Sequence, residues 1–163
     1  MPAGADPEES GEALLARLVD APLSADAEPA DAASAALVKA LRDADTSIAP
    51  APPSASASVR VAAPDAKPVH VTLLRAGSGV EIAVSRHFAR FRVPFQHRGE
   101  DAESVFDRLF RLLGAVSAAT GWRAYDPQEA EGVALDDAGR DATLEIYLTV
   151  MDQLRPAGTG LRP

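Results

Sequence analysis

The sequence predicts an α+β domain: a small antiparallel sheet of about four to five strands, packed by two helices from the C-terminal half and preceded by two acidic helices. Three observations carry that expectation. Short β-branched runs separated by turn residues occupy 69–95, two stretches with apolar residues at helical spacing occupy 100–120 and 136–154, and the first 68 residues contain no Phe, Trp or Tyr. The division that follows is an acidic helical segment over 1–45, an Ala/Pro/Ser-rich linker or long loop over 46–68, an α+β core over 69–155 and a flexible tail over 156–163.

Taken in order, Asp6-Pro7-Glu8-Glu9 starts a first helix, with Asp6 as cap, Pro7 in the first turn and Glu9 completing a capping box. Leu14, Leu15, Leu18 and Val19 follow at helical spacing, and Pro22 ends the helix. A second helix starts near Asp31 and carries a narrow stripe of Leu37, Val38 and Leu41. Both helices are expected to dock at the sheet edge or to form an arm. Docking is favoured, because isolated helices of this length are marginal in water. Pro50, Pro52 and Pro53 oppose helix and central strand in the linker, although Val59, Val61 and Ala63 alternate as a short edge strand would.

Val69–Leu74 and Val80–Val84 read as a hairpin around Gly77-Ser78-Gly79. Phe88–Phe95 reads as a third strand, with Phe91, Val93 and Phe95 on a core face and Arg90 and Arg92 on a wet one. Glu100–Thr120 is the clearest helix, striped by Val105, Leu109, Leu112 and Val116 and closed by Gly121. Trp122–Tyr125 and Val133–Leu135 read as short strands around an Asp126-Pro127 turn. A last helix from Asp136 or Asp137 carries Leu144, Tyr147, Leu148, Met151 and Leu154 until Pro156.

The net charge of −8 is uneven, because residues 1–68 hold 11 acids against 5 bases while residues 69–163 hold 13 against 11. An acidic chain repels nucleic acid and anionic lipid at long range. The absence of Cys excludes a disulfide framework and thiolate chemistry, and no basic n-region follows Met1, so a cytoplasmic protein is expected. No apolar run is long enough to span a membrane. Two lysines against fourteen arginines, with abundant Ala and Pro, suggest a GC-rich bacterial gene.

Val93-Pro94-Phe95 before a long helix, followed by Thr120-Gly121-Trp122 and Tyr125-Asp126-Pro127-Gln128, resembles a family of small uncharacterised bacterial α+β proteins. Its members open with a short strand before the first helix, which this sequence does not display. The resemblance implies no established activity. Some small acidic bacterial proteins of this general kind are immunity proteins that cap a toxin, an analogy at the level of the fold.

The strongest local feature is the basic aromatic run Arg86, His87, Phe88, Arg90, Phe91, Arg92, Phe95, His97, Arg98. Rings interleaved with guanidinium groups suit single-stranded nucleic acid, but strand alternation separates Phe91 and Phe95 from Arg90 and Arg92. An acidic protein partner for Arg86, Arg90, Arg92 and Arg98, or the chain's own acidic helices, is the better expectation, the acidic N-terminal arm being the other surface a protein partner would use, and nucleic acid is disfavoured. The alternative is a ligand-binding or enzymatic loop using Trp122, Tyr125, Asp126 and Gln128. A plain turn accounts for that loop too, with Trp122 as a core anchor.

Asp137, Asp141 and Glu145 share a helix face without a cation-binding loop, so they read as a solvated face and no metal is expected. A Ser85, His87, Asp107 triad can be drawn, but the spacing is too loose to credit. The sequence therefore points to a non-enzymatic protein-binding module without a cofactor.

Overall fold

The apolar runs and helical stripes fold, in this computed structural model, as β1 (Leu23–Asp26), α1 (Ala32–Ala44), β2 (Ala49–Pro50), β3 (Val69–Arg75), β4 (Glu81–Val84), β5 (Ala89–Arg92), α2 (Gly99–Thr120), β6 (Ala124–Asp126), β7 (Glu131–Val133) and α3 (Asp137–Gln153). The described residues are 23–26, 28–51, 69–77, 79–126 and 131–154. The expected helix after Asp6, the strand around Val59–Ala63, the tail from Pro156 and Gln128 lie outside them.

β3 is the hub of the main sheet. Its Thr72–Arg75 half pairs antiparallel with β4, which pairs antiparallel with β5. The opposite edge of β3 is shared: β1 runs parallel along Val69–Thr72, and β2 runs antiparallel along Leu74 and Arg75. The expected antiparallel sheet is thus present in β2, β3, β4 and β5, and β1 adds a parallel strand that was not expected. Leu-Ser-Ala-Asp is too short and too weakly apolar to announce a strand, and what makes it one is the free edge of β3. The expected linker over 46–68 is shorter than anticipated at its start, because Ile48 is buried and Ala49–Pro50 joins the sheet. Pro50 is tolerated because this strand lies on the sheet's edge, where a missing N–H breaks no central ladder.

The strands near 122–135 form a separate two-stranded sheet of β6 and β7, with bounds shifted from the expected Trp122–Tyr125 and Val133–Leu135. The third strand of the main sheet is also shorter than expected, ending at Arg92 ahead of Pro94.

One face of the main sheet carries Leu74, Ile82 and Val84, which share a core with Leu37, Val38 and Leu41 of α1 and with Val105, Phe106, Leu109, Leu112 and Val116 of α2. Burying each such side chain contributes about 1.5–3 kcal/mol. The second acidic helix is therefore part of the core, packed on α2, and not an arm at the edge. The C-terminal helix, expected to cover the sheet directly, packs on α2 instead and buries only Tyr147 and Met151. Leu154, expected on its apolar face, is 61% exposed. The far face of the sheet is not uniformly wet, since Val71 and Ala83 are buried there among the charged Arg75, Glu81 and Arg92.

Local chemistry sets the helix ends. Asp31 caps α1 by accepting from Ser34 N–H at 2.8 Å, and Asp136 caps α3 by accepting from Gly139 N–H at 2.8 Å. Gly139 also sits so close to Ala134 that a Cβ would stand 2.0 Å from its carbonyl oxygen, so no other residue fits. Gly121 ends α2 with φ 73°, the left-handed conformation expected of it. Arg140 ties α3 to α2 through Asp107.

A second knot lies where α1 ends. Asp45 accepts from Ser47 N–H at 2.8 Å, Ser47 Oγ accepts from Gly77 N–H at 2.9 Å, and Arg108 Nε of α2 lies 3.1 Å from the Asp45 carboxylate. Burial alone would raise the pKa of Asp45. The hydrogen bonds from Ser47 and the charges of Arg108 and Arg111 outweigh it and hold the carboxyl below its ordinary value.

Two outcomes follow from this packing. Leu41→Ala is expected to cost about 2–5 kcal/mol in urea denaturation, the range for truncation in a closed core; a detached helix would lose almost nothing. Because the folded pKa of Asp45 is depressed, its contribution is present above its unfolded value and is lost as pH falls through the folded one. Wild type should therefore lose urea stability below the ordinary carboxylate value of 3.8, and Asp45→Asn should start less stable at neutral pH and show a shallower loss.

Candidate functional site

The arginines of the basic run divide into two groups along β5. Residues i and i+2 of a strand share a face, so Arg90 and Arg92 both lie on the side of the sheet away from the helices. There Arg92 stands opposite Glu81 and Arg90 opposite Ala83. Arg92 donates to Glu81 at 2.9 Å, and its side chain remains 53% exposed. Arg90 is half-buried and is also engaged.

Arg86 lies at the other end of β5, in the turn where Ser85 N–H donates to the Phe88 carbonyl at 2.9 Å. Its guanidinium donates to His87 Nε2 at 2.7 Å, and its charge lowers the pKa of Asp31, after the larger effect of Ser34 N–H. The structure thus does not bring Arg86 together with Arg92 and Arg98.

Beyond Arg92 the chain makes a tight corner from Val93 to Arg98 that Tyr147 of α3 fixes. The Tyr147 hydroxyl donates to the Pro94 carbonyl at 2.8 Å and accepts from His97 N–H at 3.1 Å. Its ring stacks on Phe95, with centroids 5.5 Å apart and planes 10° from parallel, and leans on Phe106 at 5.1 Å. Phe95 is 48% exposed, contrary to its expected place in the core. Alternation stops with the strand: once Pro94 breaks the ladder, the ring is free to turn outward and rest on Tyr147.

His97, read in the sequence as part of a basic surface, is buried instead. Its Nδ1 lies 2.6 Å from the Asp101 carboxylate, and its Nε2 has no hydrogen-bond partner among the described residues. Arg98 is exposed at the N-cap position of α2 and makes no side-chain cap. The corner therefore offers an exposed aromatic ring stacked on Tyr147, with Arg92 three residues before it and Arg98 three residues after it. The sequence names Phe95 and Tyr147 only as core-facing residues and does not pair them, and Pro94 was the available signal that the strand's alternation would not carry through.

The alternative loop is divided by the structure. Trp122 is half-buried against the core, the anchor position, while Tyr125 and Asp126 belong to β6, where they pair with Gly132 and Glu131. The triad residues have other partners: Ser85 Oγ accepts from the N–H groups of His87 and Phe88, the His87 ring accepts from Arg86, and Asp107 pairs with Arg140. Asp137, Asp141 and Glu145 are exposed, with Asp141 paired to Arg140. Among the described residues no three His, Asp or Glu side chains are placed to hold a metal ion, and no helix is long and apolar enough to cross a membrane. Comparison with known protein families, curated proteins and solved structures finds no match.

Tyr147→Phe keeps the stack but removes both hydrogen bonds, leaving the buried His97 N–H unpaired. It is expected to cost about 1–3 kcal/mol in urea denaturation and to broaden the Phe95 ring resonances in NMR spectra. A change of less than a few tenths of a kcal/mol would show that the hydroxyl does not hold the corner.

Proposed function

We propose that this chain is a non-enzymatic protein-binding module whose acidic partner docks on the corner formed by Arg92, Phe95 and Arg98. The observation that carries the reading is the half-exposed Phe95 ring stacked on Tyr147. A side chain already fixed in the free protein loses little entropy on binding. Aromatic rings and arginines are also the residues enriched where interfaces concentrate their affinity.

The paired Arg92 retains further N–H donors beyond the one given to Glu81, and a guanidinium presents them in a fork that fits a carboxylate. By analogy with small acidic immunity proteins, capping a toxin in the cytoplasm is one form such a role would take. Arg86, at the far end of β5, falls outside the surface and is a natural control.

The test is a titration of whichever protein is retained from a lysate of the source organism by wild type and lost from a Phe95→Ala, Arg98→Glu variant. Phe95→Ala alone is expected to weaken that complex about 10- to 100-fold, the range of a hot-spot truncation, while Arg86→Glu leaves it within about twofold. Equal affinity of wild type and Phe95→Ala would remove the corner from consideration.

A further inference from the structure

β5 ends the main sheet, and among the described residues it pairs with β4 alone. Which of its backbone groups face outward follows from the ladder. Ser85 N–H donates to the Phe88 carbonyl, so Ser85 and Phe88 form a hydrogen-bonded pair at the turn. Such pairs alternate along an antiparallel ladder. With Val84 opposite Ala89, Ala83 opposite Arg90, Ile82 opposite Phe91 and Glu81 opposite Arg92, the hydrogen-bonded pairs are those of Arg90 and Arg92. The N–H and C=O groups of Ala89 and Phe91 therefore point away from β4, along an edge that no strand among the described residues occupies.

We infer that this edge receives an extended acidic segment of the partner as an additional strand. The inference rests on the protein-binding reading above and specifies its geometry. Backbone pairing supplies affinity in this mode, and alternate side chains supply selectivity. On the far face the added strand would lie beside the already engaged Arg90 and beside the exposed Arg92, which keeps donors beyond the one given to Glu81, so a carboxylate opposite Arg92 is the complementary choice. On the near face it would lie beside Ala89 and Phe91, which pack against the core, so the intervening positions would be apolar. The occupant is thus a segment alternating acidic and apolar residues.

A second copy of this chain is the obvious rival for an open edge. Pairing β5 with β5 would bring two pairs of arginines onto one face, and like charges across neighbouring strands are destabilising. Arginines on an edge guard against self-association for the same reason. That charge asymmetry selects an acidic occupant over a copy of the same strand. Pro94 stops the ladder and places Phe95 just beyond it, so a strand added along β5 would lead the partner onto the corner.

The test uses the full chain and two probe peptides, acetyl-(Val-Glu)4-amide and acetyl-(Val-Lys)4-amide, with amide hydrogen exchange followed by NMR at neutral pH. Saturation with the Val-Glu peptide should slow exchange at Ala89 and Phe91 at least tenfold, with the Val-Lys peptide producing no slowing. An Arg90→Gln, Arg92→Gln variant that keeps wild-type dispersion should lose the preference between the two. Unchanged exchange at Ala89 and Phe91 with the Val-Glu peptide overturns strand addition, as does equal slowing by both peptides. Slow exchange at those amides in a peptide-free dimer overturns it in favour of self-pairing. Failure here, with a captured partner still sensitive to Phe95→Ala, removes only the added strand; insensitivity of that partner to Phe95→Ala removes the docking corner itself.

Discussion

The apolar face of α2 is the constraint on which the rest of the structure depends. Ala102, Val105, Phe106, Leu109, Leu112 and Val116 are all buried along one helix. α1 and α3 both pack on that helix, and the near face of the sheet shares its core. Two ion pairs also converge on it: Arg108 reaches Asp45 at the end of α1, and Asp107 receives Arg140 from α3. A helix 22 residues long spans the domain, so elements distant in sequence register against one surface.

The corner after β5 shows how that core reaches the surface. Phe106 of α2 supports Tyr147 of α3, and Tyr147 supports both the backbone of Pro94 and His97 and the ring of Phe95. A half-exposed aromatic ring is thereby connected through one buried tyrosine to the most closed part of the molecule. The arginines around it are placed by local backbone geometry, Arg92 by strand alternation and Arg98 by the start of α2. Charge and ring are thus neighbours along the chain, and their positions have different origins.

Much of the fold was legible in the sequence because local rules decide it. The 3.6-residue stripes of α1, α2 and α3 and the caps at Asp31 and Asp136 are satisfied within a few residues of chain, as is the αL glycine at 121. The same holds for the β3–β4 hairpin and for the face shared by Arg90 and Arg92, since a period of two follows from strand geometry.

Tertiary structure alone decided the remainder. Leu23–Asp26 and Ala49–Pro50 carry weak strand signals, and they pair because β3 leaves an edge unoccupied, a fact no local window contains. The placing of α1 in the core and of α3 on α2 depended on which apolar stripes found the largest complementary surface. The burial of His97 and the exposure of Phe95 depended on a tyrosine about 50 residues away in the chain. Composition and periodicity fix what a residue can do within its own element; which neighbour completes it is settled only when the whole chain competes for the same buried area.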